Sequence, residues 1–201
     1  MRSSYYHKEL SYYYILSLTN VSMQTTEDQN RWEIDKAHSN LEFSVRHMMI
    51  SNVKGRFKNF GGDFRLNLNK IENSAVKLEI EASSIFTNEE DRDKHLKSKD
   101  FLHVEQYPLV LFESTKVGKA GNRIDVEGKL TIRDVTKNVA ISGELQGPIT
   151  DPYGKKRVGF DGETTIARKD FGLTWNMILE GGGLMVGDNV KIDIHMELTA
   201  P

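Results

Sequence analysis

Between Ile124 and Arg133 the chain reads IDVEGKLTIR, an apolar or small residue at every second place and a charged or polar one between. Successive side chains of a strand point to opposite faces, so this spacing makes a ribbon with one dry and one wet side. The same period recurs along the chain. Leu41, Phe43 and Val45 oppose Glu42, Ser44 and Arg46, and Val76, Leu78, Ile80 and Ala82 oppose Lys77, Glu79 and Glu81. Val190, Ile192, Ile194, Met196 and Leu198 oppose Lys191, Asp193, His195 and Glu197. Trp32 and Ile34, Phe57, Phe64 to Leu68, Leu109 to Glu113, Val139 to Leu145 and Val158 to Ile166 supply the remaining segments. About eight or nine strands result, each clear one with a single apolar face. Long strands joined by hairpins favour an all-β fold, an antiparallel meander closed on itself, which leaves no open edge. The charged face is the outer one, which excludes a lipid-facing outer-membrane barrel.

The alternation stops once, over SSIFTNEEDRDKHLKSKDFLHVEQYP, Ser83 to Pro108. Thr87 and Glu90 have the spacing of a capping box. The spacing predicts a helix over Asn88 to Lys97, with Asp91 beside Lys94 and His95 on adjoining turns. Asp100 is placed to cap a second short turn, Phe101 to Gln106, and Pro108 restarts extended chain. We expect this insert, residues 87–106, to cap one end of the barrel. Gly61-Gly62 reads as a bend or bulge, Asp151-Pro152-Tyr153-Gly154 as a tight turn, and Gly181-Gly182-Gly183 as a connection at the lip of the barrel.

With 201 residues, one domain is the simplest division: an extension over 1–30 and a barrel over 31–201. A net charge of -2 argues against a nucleic-acid partner, and no run is long and apolar enough for a membrane-spanning helix. Arg2 and Lys8 precede an apolar patch, Tyr12 to Leu18, but Glu9 precedes it too and no small-residue cleavage site follows. Met23 opens MQTTEDQNRWEID, which reads as the start of a cytoplasmic protein; the alternative is export, with residues 1–22 as a weak signal. Cysteine is absent. His7, His38, His47, His95, His103 and His195 show no metal-ligand spacing, so neither a metal nor a cofactor is expected. Oligomeric state is open, a homodimer included.

The inward register predicts the lining of an interior: Phe43, Val45, Phe57, Phe64, Ile80, Phe112, Ile132, Ile141, Phe160 and Ile194. A packed core accounts for any one of these residues. An eight-stranded barrel can instead hold one ligand, and Ala82, Gly128, Gly143 and Gly162 on the same rows leave room for one or mark bulges. Arg92, Asp93, Lys94 and His95 could form an acid–base cluster, although such a run on a helix is usually a solvated face. No nucleophile–base pair can be inferred.

Four stretches stand in order: AHSNLEFSVRHMMISNVKGRF (37–57), ASSIFTNEEDRDKHLKSKDFLHVEQYPLVLFEST (82–115), GKLTIRDVTKNV (128–139) and RKDFGLTW (168–175). Together they resemble the YceI-like polyisoprenoid-binding proteins from Trp32 to Leu198. Asp134 and Asn138 depart from the family's usual Gly and Pro; Asp tolerates left-handed torsions well enough to keep the turn. The resemblance implies a lipocalin-like barrel around an isoprenoid chain, either a polyprenyl phosphate or the tail of an isoprenoid quinone, carried or stored rather than chemically changed. Many relatives are exported, a trait this sequence gives no ground to carry over. For a phosphate head, Arg92 and His95 would be the cationic contacts, with Asp93 orienting them. The competing readings are an enzyme acting at that phosphate through Arg92, Asp93 and His95, and a filled barrel, stress-related, acting through its surface.

Overall fold

The chain is described by a computed structural model over residues 30–180 and 182–200. The expectations for the extension, the start at Met23 and export fall on residues outside that range. Among the described residues, eleven strands and one α-helix follow in order: β1 Arg31–Ile34, β2 Asn40–His47, β3 Ser51–Phe57, β4 Phe60–Arg65, β5 Ala75–Glu81, β6 Ile85–Phe86, α1 Glu90–Lys97, β7 Leu109–Ala120, β8 Arg123–Ile132, β9 Val135–Thr150, β10 Lys156–Ala167 and β11 Val186–Thr199.

Every pairing is antiparallel. Eight strands close a ring, β1-β4-β5-β7-β8-β9-β10-β11, sealed where Glu33 and Ile34 pair with Thr199 and Leu198. The upper part of the same β11 edge, Val186 to His195, pairs instead with β2, which extends the wall through β3 to β6. β11 therefore meets β1 at the lower end and β2 at the upper end. The lower ring is narrow and filled by Trp32, Phe64, Leu66, Val158, Met196 and Leu198, all buried. The upper end carries α1, the β8–β9 turn, the β2–β3 hairpin and the connection from β10 to β11.

The inward glycines are not gaps, and only Gly128 adjoins a bulge, where β7 shifts register between Ser114 and Lys116. A Cβ on Gly128 would stand 2.5 Å from the ring of Phe112, and on Gly143 or Gly162 it would stand 2.7 or 2.5 Å from that of Phe160. The rings occupy the space a Cβ would take, so the missing side chains are replaced by aromatic carbon. Gly61-Gly62 is not a bend either. Both sit in regular register opposite Glu79 and Leu78, and a Cβ on Gly62 would meet the carbonyl oxygen of Lys77 at 1.8 Å. The left-handed residue of the β8–β9 turn is Arg133, φ 59°, rather than Asp134.

The helix begins two residues later than the capping-box reading places it. Glu89 is the cap, its carboxylate accepting from the backbone N–H of Asp91 and of Arg92. Thr87 is otherwise engaged: its N–H and hydroxyl both donate to the buried Asp93, at 2.8 and 2.6 Å. Asn88 is left-handed, φ 61°, so the chain cannot be helical there. Beyond Lys97 there is no second helix; residues 99–102 and 104–106 form turns that bury Phe101 and Leu102.

The lower end is tied by Arg157, which donates to Asp35 and Asp151 at 2.8 Å each and to Glu197 at 2.5 Å. Asp35, His38 and Glu197 are close enough to share a metal ion, but the guanidinium already sits on two of their carboxylates. Arg157 first, then His38, holds the Asp35 carboxyl down at about 2. A lowered carboxyl stabilises the fold above its unfolded pKa, near 3.8, and that contribution vanishes as pH falls through 2.

Two outcomes follow. Replacing Gly143 by Val drives a side chain into the Phe160 ring and the Asp161 carbonyl, and should cost about 1–3 kcal/mol, read as a lower Tm in a thermal melt. Replacing Arg157 by Met should lower the Tm at pH 7, since it leaves Asp35, Asp151 and Glu197 facing one another without their cation. It should also flatten the stability loss between pH 4 and pH 2, as measured by denaturant titration; an unchanged acid limb would remove Asp35 from the account.

Candidate functional site

The upper half of the barrel encloses a cavity of about 500 Å³. Its wall comes from the inward rows of β2, β3 and β5 to β11 and from α1. Phe43, Val45, Phe57, Ile80 and Phe112 line it, as do Ile132, Ile141 and Ile194. Arg92 and His95 reach its upper rim. Phe64 and Phe160 do not belong to it; both stand in the lower compartment, around a void of about 100 Å³. Their register is the predicted inward one, but alternation fixes only the face a side chain takes and says nothing of its height along the barrel. Phe112, Ile141, Leu78 and Ile194 border both spaces and form the floor between them.

The rim is more aromatic than the sequence indicated. The ring of His95 meets Trp175 edge-on at 4.5 Å and Phe101 at 5.1 Å, and Phe101 and Trp175 stand 5.3 Å apart. His95 Nε2 is 2.8 Å from the carboxylate of Asp100. Arg92 donates from Nε to the Thr87 hydroxyl at 2.8 Å and from Nη2 to the Thr87 carbonyl at 2.9 Å. Asp93 thus orients Arg92 through Thr87, while Asp100 takes the part expected of Asp93 at His95. The Lys94 ammonium turns away to Glu90 and Asp91, and Glu90 first raises its pKa.

Sequence reasoning gave no role to Arg168, whose side chain is only 2% exposed. It follows β10 at the start of the 3-10 turn Arg168–Phe171. Its guanidinium donates to the carbonyls of Leu173, Trp175, Val186 and Gly187. Burial lowers its pKa, and Asp188 opposes that. Two carbonyls of the loop, Leu173 and Trp175, and two at the start of β11, Val186 and Gly187, converge on one planar fork, which fixes Trp175 and the start of β11 at the rim. Nothing periodic marks such a residue; the only signal was its place in RKDFGLTW.

The family model for the YceI-like domain matches residues 32–198. A UPF0312 protein of Pseudomonas paraeruginosa is 40% identical over 148 residues, 73% of this chain and 78% of that protein. Protein YceI of Salmonella newport is 38% identical over the same span. Among solved structures, the YCEI protein of Campylobacter jejuni superposes with a TM-score of 0.67 at 29% identity, covering 83% of this chain and 96% of that one. A polyisoprenoid binding domain from Saccharophagus degradans, implicated in plant cell wall breakdown, superposes with a TM-score of 0.63 at 16% identity, over 85% and 98%. At that identity the likeness concerns the fold alone.

Replacing Arg168 by Ala would orphan several buried carbonyls at about 1–3 kcal/mol each. We expect a fall in stability of about 3 kcal/mol or more, with loss of the Trp175 near-ultraviolet circular dichroism signal before global melting. A variant as stable as the parent would show that water replaces the guanidinium.

Proposed function

This chain belongs to the YceI-like family, and from that premise we propose that it binds an isoprenoid lipid and carries or stores it, with the tail in the upper cavity. The observation that carries the reading is the cavity itself: a wall mostly aliphatic and aromatic, over a packed floor, with charged side chains such as Arg92, His95 and Arg168 at the rim. Taking about 30 Å³ per non-hydrogen atom, the share of a water molecule in the liquid, the space accepts about 15–20 atoms, three or four isoprene units. At roughly 0.8 kcal/mol per buried carbon, that length offers on the order of 15 kcal/mol gross, less the ordering of a flexible chain. A longer tail would have to part Phe112 from Ile141 or remain outside.

For the head we propose an uncharged ring of the isoprenoid quinone class over a polyprenyl phosphate. Four of the five basic side chains at the wall, all but His47, are already engaged: Arg46 with Asn52 and the Met49 carbonyl, Arg92 with Thr87, His95 with Asp100, and Arg168 with four carbonyls. Away from His47, a phosphate would have to displace one of these partners or stay unpaired, which costs several kcal/mol. The rings of Trp175, Phe101 and His95 offer a flat head edges and faces to pack on. The same arrangement favours binding over catalysis, since a polar group fixed in a structural bond is a poor base or nucleophile.

Mass spectrometry of organic extracts from the purified protein should find a prenyl lipid near one equivalent. Ile192 lies on the cavity wall alone and is half-buried. Ile192→Trp should fold normally and lose that lipid. A matched prenyl quinone, alcohol and phosphate should bind in falling order, with the phosphate weakest by about tenfold or more. An extract free of lipid, with Ile192→Trp unchanged in loading, would refute carriage; a phosphate preference abolished by Arg92→Ala would refute the assignment of the head.

A further inference from the structure

Ten large apolar side chains are exposed among the described residues, and six of them stand together at the upper rim: Met48, Met49, Ile50, Met177, Ile178 and Leu184. Ile50 is 79% exposed and Ile178 is 78% exposed. They belong to two projections, the tip of the β2–β3 hairpin and the connection before β11. The two are joined backbone to backbone, since Met48 N–H donates to the Met185 carbonyl at 2.9 Å and Met185 N–H to the Met177 carbonyl at 3.0 Å. Ile178 and Leu184 bridge across the second projection. Met185 lines the cavity, so the exposed patch runs without interruption into its wall.

An isolated apolar residue on a surface needs no explanation, but a contiguous set at a cavity mouth does. The backbone adds a second sign. Met48 and Met49 are both left-handed, at φ 50° and 63°, a conformation usually left to Gly, Asn or Asp. The hairpin tip therefore holds two methionines where an ordinary turn would have polar or small residues, at a cost in strain. Methionine is flexible and polarisable and suits an irregular apolar surface.

Behind this tip the outer face of the hairpin is basic. Arg46, Lys54 and Arg56 are exposed along it, and Lys58 follows β3. Glu42 lies opposite Arg56 in the ladder. Arg56 and Lys58 reach the ring of Phe86, while Arg46 and Lys54 form no ion pair among the described residues. The acidic start of α1, Glu89 to Asp91, follows β6, which meets β3 at Arg56 and Phe57; Asp91 borders the cavity mouth, where it and Glu90 are paired with Lys94. Glu180 is the one carboxylate on the second projection among its described residues.

We propose that this rim docks the protein on an anionic lipid bilayer. Met49, Ile50 and Ile178 enter the acyl boundary, and Lys54 stays at headgroup level, while Arg46 holds the Met49 carbonyl at the tip. An apolar point backed by cations matches a surface that is oily within and negative outside. It would be a poor match to a second copy of this face, where like charges would meet. In this orientation the cavity mouth opens onto the membrane, so a prenyl tail passes between two apolar phases without crossing water. The purpose of docking rests on the lipid-carrier reading; the docking itself does not.

Flotation of the full chain with phosphatidylcholine–phosphatidylglycerol vesicles, against phosphatidylcholine alone, tests this. The protein should float with the anionic vesicles and much less with the neutral ones. Ile50→Glu and Ile178→Glu, both at exposed positions, should keep the parent Tm and reduce partitioning at least about tenfold. Lys54→Glu should reduce it about fivefold or more and weaken its salt dependence. Loading from detergent micelles should be unchanged in all three variants, while transfer from vesicles slows. Failure of the parent to load from micelles would count against lipid carriage and leave docking to be judged by flotation. Absence of parent flotation, variants that float as the parent does, or light scattering showing a dimer that Ile178→Glu dissolves would overturn the docking proposal.

Discussion

One edge of β11 is shared by two partners, and the shape of the molecule follows from that division. Near Leu198 the edge pairs with β1, which turns at once to β4, so the ring is short and its interior can be filled by side chains. From Val186 to His195 the same edge takes β2 instead, and the wall lengthens through β3 and β6 before α1 covers the top. A single row of inward residues thus becomes solid core below and open space above. The floor between them depends on aromatic rings set against glycine backbone, Phe112 on Gly128 just above and Phe160 on Gly143 and Gly162 just below. Without a Cβ the strand accepts a ring at van der Waals distance, and large side chains then close the barrel at a level where aliphatic ones would leave gaps.

What could be read from sequence was what is local. Alternation along a strand is decided by neighbours two residues apart, so Phe43, Ile141 and Phe160 were all assigned to the correct face. Height along the barrel is decided by pairings such as Glu33 with Thr199, 166 residues apart, and no local pattern encodes it. That is why Phe64 and Phe160 were grouped with the cavity. The glycines failed for a related reason: from one strand alone, an empty place and a place occupied by another strand's ring look identical. The capping box failed because the motif names residue types but not their competitors. Thr87 had a stronger partner in Asp93, buried and unable to find water, and Glu89 took the vacant cap. Trp175 and Arg168 carry no period at all, and their roles exist only once four carbonyls converge on one guanidinium.

The polar groups of the rim hold the rim together before they hold anything else. Arg92, Thr87 and Asp93 form a chain of hydrogen bonds that ties the start of α1 to the end of β6, and His95 with Asp100 ties its last turn to the following loop. Groups paired in this way change little when a ligand enters, so they contribute less to affinity than their charges would imply and more to keeping the mouth open. Selectivity at the head then falls to shape, set by the angles among Trp175, Phe101 and His95. Affinity falls to the tail, which gains for every carbon removed from water.

An open cavity has a thermodynamic consequence for the rest of the chain. At about 24 cal/mol per Å³, 500 Å³ of unfilled interior forfeits on the order of 10 kcal/mol of packing, as much as the whole net stability of an ordinary domain. The stabilising features are accordingly concentrated away from the cavity, in the packed lower ring and the Arg157 network. Around the cavity, hydrogen bonds supplement burial: Arg168 at the loop, Glu89 and Thr87 at the helix, Asn176 across to Val186. A bound apolar chain would restore part of the missing packing and stabilise the upper half preferentially, so occupancy and local rigidity are linked there. The lower end, already dense, would gain nothing from the ligand, which makes it the fixed platform against which the mouth can open.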